Sequence, residues 1–461
     1  MLRIEDTICA SATSASGAIG VIRVSGPDTF LITDSLVSFI SGNAASSKGY
    51  TVKYGRFFRD SAHSEELDEV LVSVFRAPHS YTGEDSVEIS CHASGYIVSS
   101  ILQALVSAGA RMAEPGEFTR RAFVNGKMDL AQAEAVADLI SSDSRAAHRI
   151  AINHLKGAYS HRLRELRDKL LELTALLELE LDFSEEDVEF ADREKLRSLL
   201  DDTLGHIKRL SASFREGNAV RNGIPVAIVG AVNSGKSTLL NALIGDDRAI
   251  VSDIPGTTRD TVEETFTIEG VPYRFIDTAG LRETNDKVEQ IGIQRSWDKL
   301  SQADIVIALL DAEADEAANY ECLDSVRTKI SGNQTLIVVS NKTDLSPALD
   351  GTLGISALNG TGVEQLKRLI SESQVGRFSV EDEIVTSARH YDCLVRASES
   401  LENVRSGLDN ATTSDLVAED LRSAVVELNS IFGDNGSFNS SYSIDFQAVT
   451  DLIFSRFCIG K

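Results

Sequence analysis

The sequence predicts a multidomain α/β protein in which an α/β domain is inserted into a helical domain. Three observations support this prediction. Short apolar runs separated by turns fill residues 1–125, and a proline-free, helix-like texture follows as far as Pro225. Strands and helices then alternate from Ile224 to about residue 373, after which helical periodicity returns. Because helices flank the alternating segment on both sides, its two ends should lie close together, as an inserted domain requires.

The N-terminal segment has the pattern of a small α+β domain. Residues 19–24 and 70–75 are rich in β-branched side chains, and residues 86–90 alternate polar with apolar ones, so all three segments predict strands. Residues 95–108 predict a helix.

The predicted helical domain comes in two parts. Residues 131–181 and 192–214 combine Ala, Leu, Glu and Arg with apolar residues at helical spacing, which predicts a long antiparallel helical pair. Helical patterns return at residues 387–405, 414–432 and 446–456. The predicted domain limits are therefore 1–125 for the N-terminal domain, 126–220 and 377–461 for the two helical parts, and 221–376 for the inserted domain.

Composition limits the possible classes of protein. The chain has 461 residues and a formal net charge of -25. Apolar runs fall short of the roughly 18 residues that span a membrane, and the first residues carry acids rather than an apolar signal core, so we predict a cytoplasmic protein. The five cysteines form no CxxC pair, which argues against zinc or a disulfide framework. Neither a membrane nor DNA is an expected partner, and RNA would be met through local basic patches or alongside a more basic protein.

The segment GAVNSGKS at residues 230–237 fits the phosphate-binding pattern GxxxxGK[ST] and lies between a predicted strand and a predicted helix. Its glycines let successive backbone N–H groups face phosphate, and the helix N-terminus adds partial positive charge. Lys236 should reach the β- and γ-phosphates, and Ser237 should bind Mg²⁺. The predicted nucleotide-binding residues here are Gly230, Asn233, Ser234, Gly235, Lys236, Ser237 and Thr238.

A second phosphate-side motif ends the next predicted strand. It is DTAG, comprising Asp277, Thr278, Ala279 and Gly280. The carboxylate can hold the Mg²⁺ shell through water, and the glycine lets a backbone N–H approach the γ-phosphate. Between the motifs, residues 252–260 offer a threonine that can complete Mg²⁺ coordination. Leu281 stands where Ras-like proteins carry a water-orienting Gln, so another residue, an ion or a partner must supply that function.

Guanine selectivity is predicted by NKTD, which contains Asn341, Lys342 and Asp344. The Asp344 carboxylate can accept hydrogen bonds from guanine N1–H and the 2-amino group, neither of which adenine offers. Ser356 and Ala357 can offer backbone N–H groups to guanine O6. Because all these motifs occur in the expected order, the inserted domain is predicted to bind and hydrolyse GTP.

Beyond these motifs, the chain resembles the MnmE (TrmE) family of bacterial tRNA-modification GTPases over nearly its full length. The resemblance rests on SYTGED at 80–85, EPGEFTRRAF at 114–123, NGKMDLAQAEA at 125–135, GTTRD at 256–260 and FCIGK at 457–461. It implies an N-terminal α+β domain that binds a tetrahydrofolate derivative and forms a homodimer. It also implies a discontinuous α-helical domain and an inserted Ras-like P-loop α/β GTPase domain that dimerises in a potassium-dependent way.

The resemblance further implies an activity. With an FAD-containing partner, MnmG (GidA), in a heterotetramer or larger assembly, the family adds an aminomethyl or carboxymethylaminomethyl group to C5 of the wobble uridine in certain tRNAs. A folate, in the 5,10-methylene or 5-formyl form, supplies the one-carbon unit. FAD enters only through the partner, whereas Mg²⁺ and K⁺ serve the GTPase.

Several nucleotide-side residues take roles from this resemblance. The implied potassium ligands are Asn233, Ser252, Ile254 and Thr257. Thr258 resembles the Mg²⁺-binding threonine, and Glu289 resembles the acid that positions the attacking water in place of the missing Gln. Without the resemblance, Glu289 would be one more acid on a solvated helix.

The folate contacts are also implied by the resemblance. They are Arg23, Glu88, Lys127 and Lys461. Cations suit the glutamate tail of folate and a carboxylate suits the pterin N–H edge, although surface salt bridging is the alternative. Cys458 is either a small buried residue or an accessible thiol or thiolate near the folate site that assists the modification chemistry. The predicted catalytic residues are thus Lys236 and Glu289 for GTP hydrolysis and Cys458 for the modification. The sequences CHAS at 91–94 and SASG at 14–17 depart from the family pattern beside this pocket.

Two other functions stay open at this point. A regulatory GTPase switch without modification chemistry of its own would need neither the folate contacts nor Cys458. A ribosome-assembly GTPase would carry a basic RNA-binding appendage, which the acidic balance argues against.

Overall fold

The computed structural model describes residues 6–13, 17–142, 144–182, 193–231, 233–245, 265–276, 300, 303–330, 332, 334–373, 384–410, 413–433, 446–455, 457 and 460. The chain divides into two compact units. The N-terminal unit combines Met1–Ala137 with Asn429–Lys461, and the central unit is Asp138–Leu428.

The strands in chain order are β1 (Ile8–Ser11), β2 (Ile19–Ser25), β3 (Val37–Phe39), β4 (Thr51–Phe58), β5 (Glu66–Phe75), β6 (Ser86–His92), β7 (Arg111–Met112), β8 (Ile224–Gly230), β9 (Thr265–Ile268), β10 (Val271–Ile276), β11 (Ile305–Asp311), β12 (Thr335–Asn341) and β13 (Leu353–Gly354). The helices are α1 (Thr29–Leu36), α2 (Gly95–Ser107), α3 (Glu117–Val124), α4 (Leu130–Ile140), α5 (Arg145–Leu155), α6 (Ala158–Asp182), α7 (Arg193–Ala212), α8 (Phe214–Asn222), α9 (Lys236–Ile244), α10 (Glu316–Arg327), α11 (Val363–Glu372), α12 (Ala388–Asp409), α13 (Ser414–Phe432) and α14 (Phe446–Ser455).

A seven-stranded sheet in the order β3-β4-β5-β6-β2-β1-β7 forms the framework of the N-terminal unit. Only the β1–β7 pair is parallel among its paired strands. Along β5, Val70, Val72 and Val74 are buried under α1 and α2, whereas the intervening Leu71 is exposed. The alternation buries one face of the sheet, as the pleat of a strand requires. The predicted strands at 19–24, 70–75 and 86–90 and the helix at 95–108 are confirmed.

The end of the chain also belongs to the N-terminal unit. A buried apolar cluster joins Phe454 of α14 and Phe457 to Leu130 and Ala133 of α4. Arg120 of α3 is paired with Asp451 at 2.7 Å. These contacts hold the C-terminal residues against the N-terminal fold.

A six-stranded sheet in the order β13-β12-β11-β8-β10-β9 organises the central unit. All its pairs are parallel except β9 with β10. β8 and β11 are almost wholly buried, as parallel strands covered on both faces are. The carboxyl ends of β8, β11 and β12 therefore meet at one edge of the sheet, where such folds bind ligands.

In the central unit, helices that precede the α/β segment in the sequence pack against helices that follow it. α7 lies along α12, where Lys208 is paired with Glu402 and Arg197 with Asp409. The predicted helical stretch at 131–181 is divided into α4, α5 and α6. The division has local causes: Ser144 accepts a hydrogen bond from Ala147 N and starts α5, and Gly157 adopts a positive φ between α5 and α6.

The four-part domain division stays a prediction. Within the described part of the chain, no helix is both long and apolar enough to cross a bilayer.

Candidate functional site

The phosphate-binding loop predicted at residues 230–237 joins the end of β8 to the start of α9, as its pattern requires. Asn233 and Gly235 both have positive φ, of 66° and 94°. A Cβ on Gly235 would lie 2.3 Å from Asn341 Nδ2, so only glycine fits there. The result is a left-handed turn with the backbone close to Asn341, leading directly into a helix N-terminus.

Asn341, at the end of β12, connects the two sides of this site. Its Nδ2 donates to Ser234 O at 2.8 Å, and its Oδ1 accepts from Ala357 N at 2.9 Å. The residue is only 3% exposed. One buried amide therefore links the phosphate loop to the Ser356–Ala357 turn, a role that the linear motif does not reveal.

Lys236 folds back onto its own loop. Its Nζ donates to Gly230 O at 3.1 Å and to Ala231 O at 2.8 Å. These carbonyls hold the ammonium group over the phosphate-binding turn. Ser237 and Thr238, in the first turn of α9, are exposed and open to a ligand.

Lys342 is paired with Asp311, which the sequence motifs did not identify as part of the site. Its Nζ lies 2.6 Å from Asp311 Oδ2 and 3.6 Å from Glu313 Oε2, and the hydrogen bond to Asp311 raises the pKa of Lys342. Asn319 in turn donates to Asp311 O at 2.8 Å. The available signal was an acid at the carboxyl end of the buried strand β11.

The guanine-side residues of the prediction lie around this same edge. Asp344 is exposed at the turn after β12. The two predicted N–H donors are engaged within the protein: Ser356 N donates to Thr361 O at 3.0 Å and Ala357 N donates to Asn341. We call residues 230–238, 341–344 and 356–357 the P-loop site.

Part of the prediction falls outside the described residues. These positions are Ser252, Ile254, Thr257, Thr258, Asp277, Thr278, Ala279, Gly280, Leu281, Glu289, Cys458 and Lys461. The roles given to them stay predictions.

A second site lies on the sheet of the N-terminal unit. Arg23 of β2 stands opposite Glu88 of β6 in the strand register, and its Nη2 lies 2.8 Å from Glu88 Oε1. The Arg23 guanidinium carbon is 5.2 Å from the centre of the Tyr81 ring and 5.5 Å from that of Phe118. Both distances suit cation–π contact, so two aromatic rings fix the guanidinium.

The C-terminal segment reaches this second site. Arg23 Nη1 is 3.5 Å from Gly460 O. Gly460 has a φ of 101°, and a Cβ there would lie 2.1 Å from Ser11 O, so the close approach to β1 requires glycine. We call Arg23, Glu88, Tyr81, Phe118 and Gly460 the Arg23 cluster.

The loop that carries Tyr81 is itself anchored. Tyr81 Oη and Thr119 Oγ1 are 2.8 Å apart, and burial raises the pKa of Tyr81. The predicted contact residue Lys127 donates to Pro78 O at 2.9 Å in the same loop. Among the described residues, no hydrogen bond or ion pair joins Lys127 to Arg23 or Glu88.

Four of the five cysteines are described, and all four are free thiols. Burial raises the pKa of Cys9, Cys91 and Cys393 to about 11, and it also raises that of Cys322. Since the thiolate is the reactive form, these four positions are poor nucleophiles at neutral pH.

Comparison with known proteins identifies the family. Residues 7–127 match the N-terminus of the GTP-binding protein TrmE, and residues 130–458 match the MnmE helical domain. The tRNA modification GTPase MnmE of Bacteroides thetaiotaomicron is 46% identical over 476 residues, which cover 99% of this chain and 100% of the relative. The MnmE proteins of Cytophaga hutchinsonii and Porphyromonas gingivalis are each 45% identical, covering 99% of this chain and 98% of each relative.

The alignment with the Bacteroides thetaiotaomicron protein covers both units and both sites. The two family models together cover residues 7–127 and 130–458. The chain therefore belongs to the MnmE (TrmE) family of tRNA modification GTPases.

Proposed function

We propose that this protein hydrolyses GTP and uses the cycle to support addition of an aminomethyl or carboxymethylaminomethyl group to C5 of the wobble uridine in certain tRNAs. The observation that carries this proposal is the combination of a P-loop site with the separate Arg23 cluster, in a chain that is similar to MnmE over 99% of its residues. A GTPase switch alone would need only the first.

GTP binding is proposed at the carboxyl edge of the central sheet. The backbone N–H groups of the loop and the N-terminus of α9 would meet the phosphates. Lys236 would exchange its carbonyl partners Gly230 and Ala231 for phosphate oxygens. The exposed Asp344 would accept from the guanine N1–H and 2-amino groups, which selects GTP over ATP.

Two metal ions are part of this proposal. Ser237 is exposed in the first turn of α9 and, with Thr258, would hold Mg²⁺. Asn233, also exposed, would bind K⁺ together with Ser252, Ile254 and Thr257. These cations would supply positive charge where negative charge builds between the β- and γ-phosphates. Glu289 would position the attacking water, because the apolar Leu281 has no polar atom to do so.

Folate binding is proposed at the Arg23 cluster. The paired Arg23 and Glu88 offer a cation for the glutamate tail and a carboxylate for the pterin N–H edge. Tyr81, 36% exposed, offers a flat apolar surface beside them, and the buried Phe118 packs against the Arg23 guanidinium from within the protein. Lys127 and Lys461 would add further cations.

Cys458 is the proposed thiol of this chemistry. It is separated from the Arg23 contact of Gly460 by a single residue. The four described cysteines are unsuited because burial raises their pKa values.

Homodimerisation through the N-terminal unit has its own support. Val52 and Tyr54 lie two residues apart on β4, and Tyr54 stands opposite Leu71 of β5. Their exposed fractions are 64%, 38% and 48%. A contiguous apolar face of this kind on a sheet is a typical association surface. Redox chemistry is assigned to the FAD of the partner MnmG, and cytoplasmic location stays a prediction.

Nucleoside mass spectrometry of tRNA from a strain lacking this protein tests the proposal. Loss of the C5-modified wobble uridine is expected. Unchanged wobble uridine would contradict the tRNA function. It would favour the regulatory switch, because the assignment of GTP hydrolysis does not depend on the state of the tRNA.

A further inference from the structure

One face of α5 is basic and exposed. Arg145, Arg149 and Lys156, which follows the helix directly, are all exposed at helical spacing. Four and then seven residues separate them, which is about one and two helical turns. The three charges form a row about 16 Å long. We call these three residues the α5 basic face.

The charges of this face have no partner among the residues that the structure describes: the side chains of Arg145, Arg149 and Lys156 form no hydrogen bond or ion pair with them. Several other basic residues of the central unit are paired instead. Arg396 is paired with Glu427 at 2.8 Å, and Arg162 of the neighbouring α6 with Glu165 at 2.6 Å. The α5 basic face is thus available to an external anion.

The local charge runs against that of the chain. Residues 145–169 hold seven Lys or Arg and two acids, in a chain with net charge -25. The next segment, residues 170–192, holds nine acids and no Lys or Arg. Arg145 also lies in the first turn of α5, which contains no acid, although helix stability favours an acid there. Stability of the helix therefore does not account for the position of Arg145.

The opposite face of α5 is fixed firmly. Ile150 packs in a buried cluster with Val220 of α8 and with Ile384. His154 Nε2 is 2.9 Å from Ile384 O. Val220 precedes the α/β segment in the sequence and Ile384 follows it. α5 therefore packs against both chain segments that connect the helices to the nucleotide-binding part. A ligand on the outer face of α5 would meet a rigid surface.

We propose that the α5 basic face binds the phosphate backbone of the tRNA. This inference rests on the proposed function, which makes tRNA the substrate. A regular row of unpaired cations, two of them Arg, matches the repeated charges of a polyphosphate strand. An acidic protein partner is the competing occupant. It is less favoured because the face lacks the large apolar side chains that form the centre of protein interfaces.

The test is direct binding of fluorescently labelled bulk tRNA to the full-length protein at several KCl concentrations. The variant is Arg145→Gln, Arg149→Gln, Lys156→Gln. Each lost phosphate contact should lower the slope of log affinity against log salt by about one, so the slope should fall by about three. Affinity near 0.1 M salt should fall on the order of 100-fold.

A matched control removes three charges elsewhere in the central unit: Arg327→Gln, Lys367→Gln, Arg368→Gln. These residues lie on α10 and α11. The control should keep the wild-type slope and nearly the wild-type affinity. Far-ultraviolet circular dichroism and the melting temperature check that both variants fold.

Three outcomes would overturn the inference: an unchanged slope in the α5 variant, an equal loss in the control, or no tRNA binding by the wild type at low salt. Weakened association with MnmG alongside unchanged tRNA binding would assign the face to a protein partner instead. The proposed function is judged separately by nucleoside mass spectrometry. Lost modification in the deletion strain with unchanged tRNA affinity in the α5 variant would reject the surface alone.

Discussion

The P-loop site of the central unit is built largely from backbone groups, whereas the Arg23 cluster of the N-terminal unit is built from side chains. In the first, left-handed turns at Asn233 and Gly235 shape the loop, and one buried amide, Asn341, connects its two sides. In the second, an ion pair between neighbouring strands is flanked by two aromatic rings.

This difference explains why the P-loop site can be recognised from a sequence motif and the Arg23 cluster cannot. A backbone cradle needs glycines at fixed spacing and a helix after a strand, so it leaves a short linear motif. A side-chain cluster draws single residues from distant segments, as Arg23, Glu88 and Gly460 show. It can be recognised from sequence only through resemblance to a family.

The largest expected effect concerns GTP hydrolysis, which we propose depends on K⁺ and on Glu289. GTP turnover should be fast in KCl and slow in NaCl at equal ionic strength, because the K⁺ proposed at Asn233 would stabilise transition-state charge. Glu289→Ala should keep nucleotide affinity and lose turnover by a factor on the order of 100 to 10,000. Phosphate-release kinetics measure both. Equal rates in the two salts would remove the potassium role, and an active Glu289→Ala would remove the water-positioning role.

The next effect tests whether the P-loop site depends on its single buried amide. Asn341→Ala removes hydrogen bonds to Ser234 O and from Ala357 N, at about 1–3 kcal/mol for each group left unsatisfied. GTP affinity should fall on the order of 100-fold while folate affinity is kept. Titration calorimetry measures both ligands. Asn359→Ala, an exposed residue of the neighbouring turn, is the control, and affinity within threefold of wild type for Asn341→Ala would refute the connecting role.

The reciprocal test breaks the Arg23 cluster. Arg23→Ala removes the ion pair with Glu88 and both ring contacts, so 5-formyltetrahydrofolate should bind on the order of 10- to 100-fold more weakly. GTP turnover should be unchanged. Arg59→Ala, which breaks the exposed Arg59–Glu65 pair of the same unit, should leave both ligands unaffected. Undiminished folate affinity in Arg23→Ala would move the folate site elsewhere.

The smallest effect distinguishes Cys458 from the other thiols. With pKa values raised to about 11, Cys9, Cys91 and Cys393 are only about 0.1% thiolate at pH 8, and that fraction grows as pH rises. Iodoacetamide at pH 8 should therefore label Cys458 before these three thiols, as peptide mass spectrometry would show. Comparable labelling of Cys9, Cys91 or Cys393 in the folded protein would contradict the assignment.

Sequence reasoning predicted the strands and helices that frame both sites, because their patterns are local. It did not predict that Asp311 holds Lys342, or that Tyr81 and Phe118 flank Arg23, since these contacts join residues brought together only by the sheets. It also treated residues 131–181 as one stretch, because helical spacing continues across the cap at Ser144. The unpaired state of the α5 basic face likewise depends on which acids the fold brings near it.

The central claim is that both sites serve one reaction on tRNA. The most direct measurement is nucleoside mass spectrometry of tRNA from a deletion strain that carries the wild type, Asn341→Ala, Arg23→Ala or the control Arg59→Ala. The wild type and the control should restore the modified wobble uridine. Each site variant should fail to restore it while still binding the ligand of the other site. Full modification with either site variant would contradict the account, because one of the two sites would then be dispensable for the reaction.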